Sequence, residues 1–194
     1  MYLLFSYTVG GTERLVTDIC NEMASQGHEV YLYVVNDLYS EKLLKTLNDR
    51  VYVLLQKRKA SRENIIMSMW KLALFIKREK IKVVHCNSFD SPELLFLAKM
   101  WNPKLKIVYT IHGIKQYCNL GRIRVIYRNI ICKFIIAISQ SVRDDIIACG
   151  AYANKVRIVY NAIDSSKIEE RDIRESKLKD KNSKIGRASC RERV

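Results

Sequence analysis

Short apolar runs that do not alternate in and out recur along this chain, and each leads into a stretch with helical periodicity. The runs occupy residues 2–8, 29–35, 51–55, 106–111, 134–138 and 155–160, and another starts at Val83 and ends in His85-Cys86-Asn87-Ser88. A strand that is apolar on both faces must be covered on both faces. Strands of that kind alternating with helices form a parallel sheet with helices packed on either side. The pattern predicts a doubly wound, Rossmann-like α/β fold of about seven strands, in the order 3-2-1-4-5-6-7.

The helices between the runs are legible in the same way. Leu15, Val16, Ile19, Cys20 and Met23 give residues 12–26 one apolar face, with Gly27 as the residue that stops the helix. Ser40 is expected to cap a short helix through Leu47. Ile66, Trp70, Ala73 (or Leu74) and Ile76 are expected to form the inner stripe of a helix over 63–80. Ser91-Pro92-Glu93 reads as a helix start, with a cap, a proline at the first position and an acid in the first turn. A basic helix is expected over 120–132, and Ser141 is expected to cap a helix ending at Gly150.

Composition excludes several classes. The chain has 194 residues, enough for a sizeable core, and its hydrophobic fraction of 48% describes an ordered domain. No apolar run approaches the roughly 20 residues that span a bilayer. The longest candidate, 123–138, is broken by Arg124, Arg128, Asn129 and Lys133. The N-terminus lacks the basic start of a signal peptide. None of the six cysteines forms a Cys-x-x-Cys pair, so free thiols in a reducing cytoplasm are expected, with no disulfide framework and no zinc site. The net charge of +14 fits nucleic acid, an anionic membrane or anionic small molecules. Recognition helices, zinc fingers and aromatic platforms are missing, so nucleic acid is not the expected partner.

In a parallel sheet, ligands bind at the carboxyl ends of the strands, near the point where the strand order reverses. Strand 1 runs into Gly10-Gly11-Thr12-Glu13 and a helix N-terminus, a natural site for phosphate or carboxylate. His85 ends strand 4, His112 and Gly113 end strand 5, Ser139 ends strand 6 and Asn161 ends strand 7. The dinucleotide fingerprint G-x-G-x-x-G is absent, so Asp37 reads as a turn residue and His28 as a structural one. Two basic segments, Lys57, Arg58, Lys59 and Arg62, then Arg122, Arg124, Arg128 and Lys133, are interleaved with or border apolar residues. They are expected to face solvent or an anionic membrane.

These residues together resemble the N-terminal domain of glycosyltransferase family 4, the first half of a two-domain GT-B enzyme. The resemblance is carried by Val9-Gly10-Gly11-Thr12-Glu13-Arg14, Gly27-His28-Glu29-Val30, Val83-Val84-His85 followed by a serine, and Tyr109-Thr110-Ile111-His112-Gly113. Ile136-Ala137-Ile138-Ser139 and the segment Lys155-Val156-Arg157-Ile158-Val159-Tyr160-Asn161-Ala162-Ile163-Asp164 complete it. It implies a retaining, metal-free transferase with no cofactor. A sugar would pass from a nucleotide-sugar donor to the hydroxyl of a glycan or lipid-linked acceptor. His112 would contact the donor sugar as the catalytic residue. Gly10, Gly11, Thr12, Glu13, His85, Gly113, Ser139 and Asn161 would line the donor phosphate and acceptor sites. Asn161-Ala162 departs from the Asn-Gly usual at the crossover.

The resemblance covers one domain, 1–164. Residues 165–184 are expected to be a charged linker or the start of a C-terminal domain. Residues 185–194 read as translated sequencing adapter and are expected to be disordered. The C-terminal domain, with its nucleotide-binding residues, is then a missing partner, and the piece alone is expected to be inactive. The expected location is the cytoplasm, at the inner face of the membrane. Two other readings stay open: a nucleotide- or sugar-binding module without chemistry, and a dehydrogenase-type cofactor domain.

Overall fold

A computed structural model describes residues 1–58, 65–88 and 91–162, without the side chains of Lys57 and Arg58. Seven strands form one sheet: β1 (Tyr2–Leu4), β2 (Val30–Asn36), β3 (Val51–Arg58), β4 (Val83–Cys86), β5 (Lys106–Ile111), β6 (Cys132–Ala137) and β7 (Val156–Ile158). All neighbours are parallel, in the order β3-β2-β1-β4-β5-β6-β7. This is the order the sequence predicts. It reverses between β1 and β4, where Tyr2 pairs with His85 and Leu3 with Cys86. β1 and β7 are shorter than the apolar runs that contain them.

Among the described residues six α-helices connect the strands: α1 (Gly11–Ser25), α2 (Glu41–Leu44), α3 (Ile65–Arg78), α4 (Phe96–Trp101), α5 (Arg122–Ile131) and α6 (Gln140–Ala148). The two-residue period of a strand separates the core into two clusters. Leu32 and Val34 of β2 pack in one with Val16, Cys20 and Ala24 of α1. Tyr31, Tyr33 and Val35 point the other way, into a cluster with Leu72, Ala73, Phe75 and Ile76 of α3. α1 ends where Gly27 takes φ +83° and His28 N–H donates to Met23 O at 3.0 Å.

Four expectations need correction. α3 does not bury Ile66 and Trp70, which are exposed. Its core face instead follows Phe75, whose ring packs 5.7 Å from the rings of both Tyr31 and Tyr33. Ser91 caps no helix: its hydroxyl donates to Ser88 O at 2.5 Å, and a short 3-10 turn, Glu93–Leu95, precedes α4. Ser139, not Ser141, caps α6, because its Oγ accepts the N–H of Val142 at 3.2 Å. Among the described residues Cys118 and Cys149 form a disulfide and Cys20, Cys86 and Cys132 are buried free thiols, while Cys190 lies outside them. The pair is 31 residues apart in sequence, and packing of α5 against the end of α6 brings it together. Asn129 of α5 donates to Gly150 O at 2.9 Å and accepts the N–H of Tyr152 at 3.0 Å.

Candidate functional site

The stretch between β1 and α1 is held from several sides. Asn36 N–H donates to Phe5 O and Tyr7 N–H to Leu38 O, each at 2.8 Å. Ser40 N–H donates to Tyr7 O at 2.8 Å, and Phe5 N–H donates to Ser88 Oγ at 3.0 Å. The last bond joins the chain leaving β1 to the chain leaving β4, across the switch point. Below it, the buried Tyr7 hydroxyl pairs with Thr17 Oγ1, which donates in turn to Glu13 O at 2.7 Å. Burial pushes the Tyr7 phenol up to about 12, so it stays neutral.

This clamp presents the amino end of α1. Gly10 is its cap in ordinary extended backbone, with no side chain completing the cap. A Cβ on Gly10 would meet the carboxylate of Glu13, which folds back over it, whereas a Cβ on Gly11 would meet nothing within 4 Å. The glycines therefore differ. Gly10 is covered by an acid, and Gly11 is open to a ligand beside unpaired N–H groups and the positive end of the dipole.

β4 and β5 supply the histidines. His85 Nε2 hydrogen-bonds Thr110 Oγ1 at 2.6 Å, and the His85 ring lies 5.3 Å from that of Tyr2. Burial, with help from neighbouring positive charge, lowers the His85 imidazole to about 4. His85 is thus a neutral strut between two strands. His112 follows β5 and is half-buried, and its Nε2 is itself buried with no hydrogen-bond partner among the described residues. Burial also lowers its pKa, so a neutral imidazole with one uncommitted nitrogen sits at the strand end. β1 and β5 flank β4, which puts His112 and the Gly10-Gly11 turn about two strand spacings apart, roughly 10 Å.

The loop after β5 is tied down on one side. Lys115 N–H donates to Asp145 Oδ2 at 2.8 Å, Gln116 lies against Gly113, and Cys118 joins Cys149. Asp145, Cys118 and Cys149 offer atoms within 4.8 Å of one another, but the two sulfurs are spent on each other.

The remaining expected residues are spread out. Ser139 stands one strand beyond β5, its hydroxyl committed to the α6 cap, and Asn161 is exposed past β7. With β7 four strands from β1, roughly 19 Å, Asn161 and Gly11 cannot hold one phosphate. Thr12 is half-buried in the first turn of α1. Of the basic residues, Arg122, Arg124 and Lys133 are exposed, while Lys59 and Arg62 lie outside the described residues.

Arg128 is the clear correction. It is fully buried, with Nη2 donating to Glu93 Oε1 at 2.8 Å and Oε2 at 3.0 Å, and its guanidinium lies 4.7 Å from the Tyr109 ring centre. It cannot touch a membrane. The apolar residues around it on α5 hid this in the sequence, because an amphipathic helix and a helix burying one ion pair read alike. Glu93, Thr110 and Thr17 were likewise missed, since a residue that acts by bracing another across the fold has no local motif.

The parallel sheet, its switch point and the glycine turn at the head of α1 define a doubly wound, Rossmann-like domain. A glycosyltransferase from Rickettsia africae has a similar structure, with 18% identity and a TM-score of 0.69, covering 85% of this chain and 43% of that one. The Anabaena protein HepE in complex with UDP and glucose (18% identity, TM-score 0.67) is covered to 45%, and 85% of this chain takes part. The lipopolysaccharide outer core galactosyltransferase WaaB (17% identity, TM-score 0.63) is covered to 49%, with 88% of this chain. This chain therefore spans less than half the length of these proteins. The sequence profile of Glycosyltransferase Family 4 matches residues 9–167, and the chain belongs to that family. No curated protein matches it in sequence.

Proposed function

We propose that this chain is the acceptor-side half of a retaining, metal-independent glycosyltransferase that moves a sugar from a nucleotide-sugar to an acceptor hydroxyl. The observation that carries the reading is the half-buried His112 imidazole at the end of β5, its enclosed Nε2 without a hydrogen-bond partner among the described residues, about two strands from the open amino end of α1. The UDP and glucose bound by HepE support a uridine diphosphate sugar as the donor class. In this reading the N–H groups at Gly11 and Thr12 face the diphosphate and stabilise the charge that develops as it leaves. The His112 imidazole contacts the donor sugar beside the reacting carbon. Glu13 repels an anion at Gly10 but suits an acceptor hydroxyl, which can donate to its carboxylate. The product is a cell-surface polysaccharide or glycolipid, built at the cytoplasmic face of a membrane. Among the described residues no helix is long and apolar enough to cross a membrane.

A second domain completes the enzyme, and the chain alone transfers nothing. Turnover of a UDP-hexose by the purified chain would refute that part. The main test is a chimera joined after Ala162 to the C-terminal half of a family 4 enzyme. Transfer should appear, with the donor's anomeric configuration retained by NMR. His112→Ala and Gly11→Val should each reduce it at least 100-fold while circular dichroism stays unchanged. Nucleotide binding without transfer would favour a binding module instead.

A further inference from the structure

The loop that leaves His112 runs to the carboxyl end of α6, where three side chains of ligand type converge. Cys118 Sγ, Cys149 Sγ and a carboxylate oxygen of Asp145 lie within 4.8 Å of one another. Asp145 stands one turn before Cys149, the C-cap of α6, and Cys149 N–H donates to Asp145 O at 3.0 Å. Side chains one turn apart share a helix face, the spacing with which a helix grips zinc. Cys118 approaches the pair from the loop. The carboxyl end of a helix also carries partial negative charge, which favours a cation there. Lys115 N–H holds one oxygen of the Asp145 carboxylate at 2.8 Å, the kind of outer contact that orients a metal-bound carboxylate. Lys115 makes that bond from φ +62°, a conformation few non-glycine residues adopt. Cys118 is exposed, and a groove of about 470 Å³ runs beside both sulfurs.

We infer that Cys118, Cys149 and Asp145 form a zinc site when the two cysteines are reduced, and that the disulfide is its metal-free state. A dithiol reductant opens the pair. Its thiolate attacks the exposed Cys118 sulfur, and Cys149 leaves as a thiolate. The reductant's second thiolate then closes its own disulfide and releases Cys118. Zinc displaces the thiol protons and binds both sulfurs, with Asp145 as third ligand and water as the fourth. With Zn–S bonds of about 2.3 Å, tetrahedral geometry sets the sulfurs about 3.8 Å apart. Side-chain rotation about Cα atoms 5.0 Å apart can supply that separation. Two thiolates and a carboxylate exceed the charge of zinc by one, and Arg122, which lines the groove, offsets the excess. The cysteines are 31 residues apart, so no zinc motif marks them in the sequence. The inference stands apart from the transferase reading. The metal ties the loop after His112 to α6, as the disulfide does, and takes no part in sugar transfer.

The test titrates zinc by calorimetry into the purified chain, once reduced with a phosphine in metal-free buffer and once left oxidised. The reduced chain should take up one zinc per chain and release protons, and the oxidised chain should bind about 100-fold more weakly or not at all. Cobalt(II), as a coloured substitute, should give thiolate charge-transfer absorption and the intense bands of a tetrahedral site. Cys118→Ser should weaken zinc by about 100-fold, and Asp145→Asn by about tenfold to 100-fold although the amide oxygen can still accept the Lys115 N–H. Cys190→Ser is the control and should leave the affinity within about twofold. Circular dichroism of the variants checks that they fold.

No uptake by the reduced chain would overturn the proposal, as would equal affinity in the reduced and oxidised chains. Parent affinity in Asp145→Asn would remove the carboxylate from the set and end the reading too. Loss of binding in Cys190→Ser would put the ion elsewhere. One zinc per two chains, with a dimer in light scattering, would make the metal a bridge between copies and refute a site within one chain. If Cys118→Ser fails to fold, Asp145→Asn, which keeps both thiols, and the cobalt spectrum of the parent decide between these outcomes.

Discussion

The Glu93–Arg128 pair lends itself to a quantitative test. Arg128 is fully buried and Glu93 retains 27% side-chain exposure, so the pair is shielded on one side only. Glu93→Gln leaves a buried guanidinium facing a neutral amide. Breaking such a pair costs about 3–5 kcal/mol, and partial access of water at Glu93 places this one near 3 kcal/mol. Arg128→Met strands the acid instead, which water can reach, and should cost less. Combining Glu93→Leu with Arg128→Met removes both charges and should recover to within about 1 kcal/mol of the parent. With an m-value of about 2 kcal/mol/M, Glu93→Gln should lower the urea midpoint by roughly 1.5 M. Urea titrations followed by tryptophan fluorescence measure all three variants. Added salt up to about 1 M should leave the differences nearly intact, because a buried pair is poorly screened. A midpoint shift below about 0.3 M for Glu93→Gln would mean that Arg128 is solvated, and its assignment to the core would be wrong.

Other perturbations follow from the same structure. Reducing the Cys118–Cys149 disulfide frees a 31-residue separation, which should cost roughly 3–4 kcal/mol of stability; unfolding with and without a phosphine reductant measures it, and Cys118→Ser should abolish the difference. His85 sits near a pKa of 4 in the fold against 6.5 ordinarily, so the unfolded chain takes up the proton first. Its contribution is intact above about pH 7 and is lost as pH falls from 6.5 through 4, by on the order of 3 kcal/mol. A His85→Gln variant should show a flatter stability profile across that window, and an unchanged slope would rule out this origin. In the chimera that supplies the second domain, removing the acid over Gly10 with Glu13→Gln should tighten UDP binding by about threefold to tenfold in calorimetry, whereas weaker binding would mean that Glu13 orders the turn rather than guarding it.

Much of the architecture was legible because a buried parallel strand leaves a local mark. The β2 run is apolar at every position from Val30 to Val35, and only a doubly covered strand needs that. The strand order, the turn at Gly10-Gly11 and the position of His112 follow from such runs and from what ends them. The errors share a cause as well. Ile66 and Trp70 have helical spacing, yet the face of α3 that goes inward was selected by Tyr31 and Tyr33 on another element. Ser141 and Ser139 are both good caps in the sequence, and the backbone left only Ser139 beside the open N–H of Val142.

By itself, the sequence determined which segments become strands and helices, and hence the single edge where strand ends gather. Those properties depend on periodicity and on backbone rules that act over a few residues. Only the tertiary structure decided the pairings across distance. It put Arg128 in the core with Glu93, joined Cys118 to Cys149, and gave His85 to Thr110 while leaving His112 uncommitted. A charge, a thiol or an imidazole carries the same local signature whether it is paired, bonded or free. Its role is set by the group that packing brings within about 3 Å, and that neighbour can lie tens of residues away in the chain.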